Sequence, residues 1–247
     1  MFINRFTSQN YNQRKNSVVD MLVLHYTAMD SSCENVCVWL CSELSQVSSH
    51  YVIDKDGTIF SLVDEKYRAW HAGISFWDGN SDINSRSIGI EIHNSGDGDP
   101  FPKIQINSLC KLINSLIDKY NIPKYHILGH SDVAPERKKD PGNLFPWINL
   151  YEQGIGVWSN KKIKNNKSII NIGDKSEIVK KIQNHLKIIG YNIVVNSVYD
   201  NQTKIIIEAF QRHWRPNKVD GILDLETNIL LEDIFNQFQY MRKLDLD

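Results

Sequence analysis

YHILGHSDVAPERKKDPGNLFPW, residues 125–147, joins a short apolar run to a loop punctuated by Pro135, Pro141 and Pro146. Its first five residues read as a buried strand, so His130 leaves the end of a sheet, where α/β proteins place their chemistry. The prolines restrict the backbone behind it and hold Lys138 and Asp140 over the same spot without a helix. Two potential metal ligands, His130 and Asp140, and a cation therefore fall within one loop.

Working outward, VVDMLVLHYT (18–27) is a second apolar run, ending in His25 in the manner of a buried strand that emerges at a rim. If the two strands are sheet neighbours, the imidazoles of His25 and His130 lie side by side. SIGIEIHN (87–94) alternates strictly, with Ile88, Ile90 and Ile92 on one face and Gly89, Glu91 and His93 on the other, which stands Glu91 on a sheet face. A helix capped by Asn107 or Ser108 and running to Tyr120 carries the stripe Leu109, Leu112, Ile113, Leu116, Ile117 and Tyr120. HYVI and TIFSLV form a hairpin through Lys55-Asp56-Gly57. The long loop from Trp70 to Ser85, rich in Trp, Gly, Asn and Asp, is of a length that is usually functional.

With 247 residues, 41% hydrophobic and 23% charged, the chain can bury a real core in one domain or two. A net charge of -1 offers no whole-chain argument for nucleic acid. No apolar run reaches the roughly 18 to 20 residues of a membrane span. The N-terminal stretch is polar without an h-region, which predicts a cytoplasmic protein; the periplasm or cell envelope is the alternative. Cys33, Cys37 and Cys41 share a helical row with Val36, Leu40 and Leu44 on a helix starting near Ser31 or Ser32, so they read as small core residues rather than a soft-metal or redox cluster.

Past Trp158 the composition turns polar and basic, as in a linker. The expected division is a catalytic domain over 1–160, a linker over 161–170 and a helical domain over 171–247. In the last, Glu177 to Ile189, Gln202 to His213 and Leu225 to Phe235 read as three helices. Asp200 with Thr203, and Asp224 with Thr227, supply the same N-cap arrangement twice.

Two histidines and one carboxylate meet the needs of a catalytic zinc ion, which keeps one position for water. His25, His130 and Asp140 form such a set, and Glu91 is then a carboxylate near the metal that can take a proton from water. Plainer readings stand beside these. The two histidines are otherwise simply hydrogen-bonded, Glu91 is a rim carboxylate paired with Arg86 or Arg137, and Lys138 belongs to a solvated basic run, 137–139. No G-x-S-x-G elbow, P-loop or dinucleotide glycine pattern is present.

LHYTA around His25, SSHYVI, AWHAGIS (69–75), SIGIEIHN and HSDVAPERKKDPGNLFPW, in this order, resemble the zinc-dependent N-acetylmuramoyl-L-alanine amidases of the type-2 family, the AmpD and AmiD group, over Val18 to about Trp158. The C-terminal part resembles a peptidoglycan-binding domain. The resemblance implies an α/β fold with a central mixed β-sheet flanked by helices, plus a small C-terminal three-helix domain. It implies one Zn²⁺ held by His25, His130 and Asp140, with Glu91 as the catalytic carboxylate and Lys138 as the cation near the scissile carbonyl. Trp70, His71 and Ala72 would line the cleft and contact substrate. The implied partner is peptidoglycan or a muropeptide, intact or 1,6-anhydro, and no protein partner is predicted. The rival function is a peptidoglycan-recognition protein without catalysis, whose mark would be a missing ligand; none is missing.

Overall fold

A computed structural model describes residues 2–15, 18–163 and 167–245 of the chain. In order, its elements are β1 (Phe2–Ile3), β2 (Tyr11–Gln13), β3 (Met21–Tyr26), α1 (Cys33–Cys41), β4 (Tyr51–Ile53), β5 (Ile59–Ser61), β6 (Tyr67–Ala69), α2 (Ile83–Arg86), β7 (Ser87–Ile92) and α3 (Lys103–Tyr120). There follow β8 (Ile127–Gly129), α4 (His130–Val133), α5 (Trp147–Glu152), β9 (Ser168–Ile170), α6 (Glu177–Ile189), α7 (Asn201–Trp214), β10 (Leu223–Asp224) and α8 (Leu225–Leu244).

The main sheet is mixed, six strands in the order β1-β5-β4-β7-β3-β8. β3 pairs in parallel with both β7 and β8. A central parallel strand is covered on both faces, which is why β3 is apolar almost throughout. One face of the sheet, with Leu22, Leu24, Ile88, Ile90 and Ile92, packs on the α3 stripe of Leu109, Leu112, Ile113 and Leu116. The hairpin of β4 and β5 is antiparallel as expected, with Gly57 at φ +84° in its turn.

Several boundaries differ from the sequence reading. α3 begins at Lys103, a turn ahead of Asn107 and Ser108. Ile106 extends its apolar stripe, and the buried Gln105 amide donates to the carbonyls of Ile53 and His93 at 3.0 and 2.9 Å. Tyr125 and His126 lie in a 3₁₀ turn, leaving only Ile127–Gly129 as strand. Cys33 and Cys37 are core, packed with Val36, Leu40, Val52, Phe60 and Leu62. The row then stops: Cys41 is half-buried and Leu44 is 88% exposed, because Ser42 turns extended and closes the helix on the Trp39 carbonyl.

The expected linker over 161–170 has its middle, residues 164–166, outside the described residues. Its last three residues form β9, antiparallel to β10. All three C-terminal helices are present, and α8 runs on to Leu244 because Phe238 and Met241 continue its buried side. Both aspartate caps form: Thr203 N and Oγ1 donate to Asp200 Oδ1 at 2.8 Å, and Thr227 N and Oγ1 to Asp224 Oδ1 at 2.9 and 2.7 Å.

The helical unit is not loosely tethered. Met21, Val23, Leu128 and Val133 share one apolar cluster with Tyr191, Phe210, Trp214 and Phe238. At its centre lies Asp132 of α4, 1% exposed. It accepts from Gly129 N at 2.8 Å and from Tyr191 OH at 3.0 Å, and faces His213 Nδ1 at 2.7 Å. The His213 ring stacks between Trp147 and Trp214, centroids 3.6 and 3.9 Å away. Removing the carboxylate leaves buried donors unpaired, so Asp132→Ala is expected to cost about 3 kcal/mol and lower the thermal midpoint by roughly 6–12 °C. An unchanged melting curve would show that this contact contributes nothing to holding the two units together.

Candidate metal centre

The parallel register decides what meets at the sheet rim. His25 is paired with Glu91 across β3 and β7, and Leu24 with Gly129 across β3 and β8, which puts His130 one residue past the strand beside His25. Asp140 returns over the same rim, its carbonyl accepting from Ser131 N at 2.9 Å and its peptide bond to Pro141 cis. His25 Nδ1 and His130 Nδ1 are 2.9 Å apart, and Asp140 Oδ2 lies 3.0 and 2.9 Å from them. The three side chains are 1%, 3% and 6% exposed.

These distances constrain the protons. His130 Nε2 sits 3.0 Å from the Ala72 carbonyl, which can only accept, and 3.4 Å from Arg137 Nη2, which can only donate; the carbonyl is the nearer partner, so neutral His130 carries its hydrogen on Nε2 and presents a bare Nδ1 to the site. A bare nitrogen, a second imidazole nitrogen and a carboxylate oxygen converging on one point repel unless a proton or cation lies between them. His-His-Asp at this spacing fits a divalent ion of zinc type, and an outer hydrogen bond to a carbonyl is the usual way a ligating imidazole is oriented.

A cavity of about 250 Å³ opens over the three donors. Met29, Val36, Trp39 and Leu40 give it an apolar wall, while Trp70, Glu91 and Lys138 reach it from other sides. Glu91 has no rim ion pair: Arg86 pairs with Asp20, and Arg137 bonds the carbonyls of Ala72 and Ile74. Its Oε2 is sealed from solvent without a hydrogen-bond partner. Burial, and then the charge of Asp140, push its carboxyl well above the usual carboxylate range, with Lys138 opposing. Within the basic run, Lys138 is the member turned to the cavity while Arg137 and Lys139 are exposed.

Trp70 lines the cavity and donates from Nε1 to Asn12 Oδ1 at 3.0 Å. His71 shows its ring there, 8% exposed, with both nitrogens engaged. Ala72 is fully buried and does not reach the cavity; its contribution is the carbonyl under His130. The sequence reading did not single out Ser87, Asn84 or His50, all buried behind these residues. The Ser87, Gly89, Glu91 alternation on β7 was the available signal. A second group, Cys33, Asp54 and His93, also lies close together. There His93 lies between Asp54 Oδ1 at 2.8 Å and Ser31 O at 2.9 Å, and the group is away from the cavity over His25, His130 and Asp140.

Burial, then the neighbouring His130, hold His25 down to about 4; burial, then Arg14, hold His50 down to about 3. Both folded values lie below the ordinary 6.5, so on acidification the unfolded chain takes up protons that the folded protein refuses, and stability falls as pH falls. For the chelated protein, the two imidazoles together are expected to cost roughly 3 to 4 kcal/mol between pH 7 and 5. Denaturant titrations at the two pH values check this, and equal midpoints would contradict it.

Comparison with known proteins gives consistent matches. Residues 14–143 match the family model described as N-acetylmuramoyl-L-alanine amidase, and residues 175–231 a peptidoglycan binding domain. The N-acetylmuramoyl-L-alanine amidase AmiD of Escherichia coli strain K12 is 34% identical over 241 residues, spanning 89% of this chain and 83% of that protein. The 1,6-anhydro-N-acetylmuramyl-L-alanine amidase AmpD of Haemophilus influenzae is 42% identical over 103 residues, 41% of this chain and 55% of that one. Among solved structures, E. coli AmiD in complex with the substrate anhydro-N-acetylmuramic acid-L-Ala-D-gamma-Glu-L-Lys superposes with a TM-score of 0.78 at 32% identity, covering 94% of this chain and 93% of that one. AmpDh3 of Pseudomonas aeruginosa superposes with a TM-score of 0.75 at 30% identity, covering 94% and 96%.

Proposed function

This chain belongs to the N-acetylmuramoyl-L-alanine amidase family, and on that footing we propose that His25, His130 and Asp140 hold one zinc ion at which the muramoyl–L-alanine amide is cut. The chain is an amidase acting on peptidoglycan muropeptides. The observation that carries the metal reading is the convergence of three electron-rich atoms, one of them left without a hydrogen because His130 donates from Nε2 to the Ala72 carbonyl.

When bound, zinc lowers the pKa of a water and polarises a carbonyl oxygen. Glu91, close by and without a fixed partner, takes the proton of the attacking water. The water oxygen bonds to the lactyl carbonyl carbon, and Lys138 stabilises the charge that gathers on the carbonyl oxygen. As the C–N bond breaks, Glu91 returns its proton to the alanine nitrogen. A muramic-acid carboxylate and a free stem peptide leave. Trp70 and the apolar wall border the space available to substrate.

In this reading residues 1–160 carry the chemistry, 161–170 connect and 171–247 bind the polymer; the matches over 14–143 and 175–231 support it. No helix among the described residues is long and apolar enough to cross a membrane. The four cysteines are free, which suits the reducing cytoplasm; cell fractionation tests that compartment against the envelope.

Mass spectrometry of defined muropeptides, intact and 1,6-anhydro, with and without chelator, tests the whole reading: cleavage at the muramoyl–alanine bond should vanish on chelation and return with zinc. Activity that persists in metal-free protein would overturn it. Glu91→Ala is expected to keep one zinc per chain and lose turnover by about 10²–10⁴-fold. Lys138→Ala should lower kcat by about 10²-fold with zinc content unchanged, and an unaffected kcat would remove Lys138 from the reaction.

A further inference from the structure

The outward nitrogens of the two metal-site imidazoles end on adjacent residues. His130 Nε2 meets the Ala72 carbonyl at 3.0 Å, and His25 Nε2 meets His71 Nδ1 at 3.1 Å. His71 Nε2 in turn lies 3.1 Å from Ser87 Oγ. Ser87 has a single hydroxyl hydrogen, and it goes to the Ile83 carbonyl at 2.7 Å. Ser87 can therefore only accept from His71, which puts the His71 hydrogen on Nε2 and leaves its Nδ1 a lone pair. His25 must then donate from Nε2, and its Nδ1 is bare. The reverse assignment would take the Ser87 hydrogen from a carbonyl and place a proton on His25 Nδ1, where an ion would sit.

The dipeptide itself is fixed. Asn84 Oδ1 accepts from both His71 N and Ala72 N, at 3.2 and 2.8 Å. Gly89 lets the His71 ring lie flat on β7: a Cβ there would come within 2.4 Å of the ring. Asn84 and Ser87 are 5% and 0% exposed, so no solvent competes for these bonds.

We propose that His71–Ala72, pinned by Asn84 and Ser87, is a shared clamp that holds both imidazoles in the one tautomer and orientation that turns Nδ1 toward the metal. It rests on the reading of His25, His130 and Asp140 as a zinc site. His71 is accordingly a positioning residue rather than a substrate contact. The Ser87, Gly89, Glu91 alternation then has one meaning along its length: proton acceptor, space for the ring, and the carboxylate in the cavity.

Two measurements on the full-length protein test this. In the zinc-loaded wild type, ¹⁵N NMR of the histidines should report His71 as the Nε2–H tautomer; the Nδ1–H form would overturn the clamp, and this reading needs no variant to fold. Competition with a chromophoric chelator should show zinc affinity weakened about 10–100-fold in His71→Phe and in Asn84→Ala. The unfolding midpoint of the metal-free variants, measured alongside, separates a positioning loss from general destabilisation: zinc affinity that falls with the metal-free midpoint unchanged supports the clamp. Wild-type affinity in both variants would overturn it. A wild-type chain that binds no zinc would instead sink the metal-centre reading itself.

Discussion

The parallel pairing of β3 with β7 on one side and β8 on the other is the constraint from which the site follows. Side chains in a parallel pair repeat every two residues, so one register puts His25 and Glu91 abreast and carries His130 to the same rim. A slip of β7 by one residue would turn Glu91 to the α3 side of the sheet and drive Ile90 toward the cavity. The apolar faces guard against that: Ile88, Ile90 and Ile92 have nowhere to go but against α3.

The C-terminal unit is built into the same arrangement. α4 starts with His130, and two residues later Asp132 is enclosed by Tyr191 and His213 of the helical unit. The short helix that leads from His130 is thus held from both sides, by the sheet through Gly129 N and by the helical unit through buried hydrogen bonds. Such bonds are costly to leave unmade, and an apolar cluster surrounds them, so this junction is rigid in a way that a polar tether would not be.

Much of this was legible from residues alone. Apolar runs ending in histidine marked β3 and the end of β8, strict alternation marked β7, and Asp-x-x-Thr marked two helix starts, because each is a local pattern set by periodicity or by a cap. Two of the misread boundaries depend on partners distant in sequence. α3 gains its first turn from bonds to Ile53 and His93. α8 gains its last turns from apolar contacts of Phe238 and Met241. Leu44 fitted a helical row but lies past a helix that its own serine ends.

For the site, strand-end and loop context nominated His25, His130 and Asp140 with Glu91 nearby, and the resemblance to the type-2 amidases gave Lys138 its role. What no spacing contains is the direction of a proton. That His130 is bare at Nδ1 depends on a carbonyl 58 positions away, and His71, placed by its sequence beside substrate, acquires its bonds from His25 and Ser87 on separate strands. Sequence determined which groups are available and which strands carry them; the tertiary structure decided which nitrogen faces which neighbour, because hydrogen bonds act over about 3 Å and only the folded chain brings those atoms within reach.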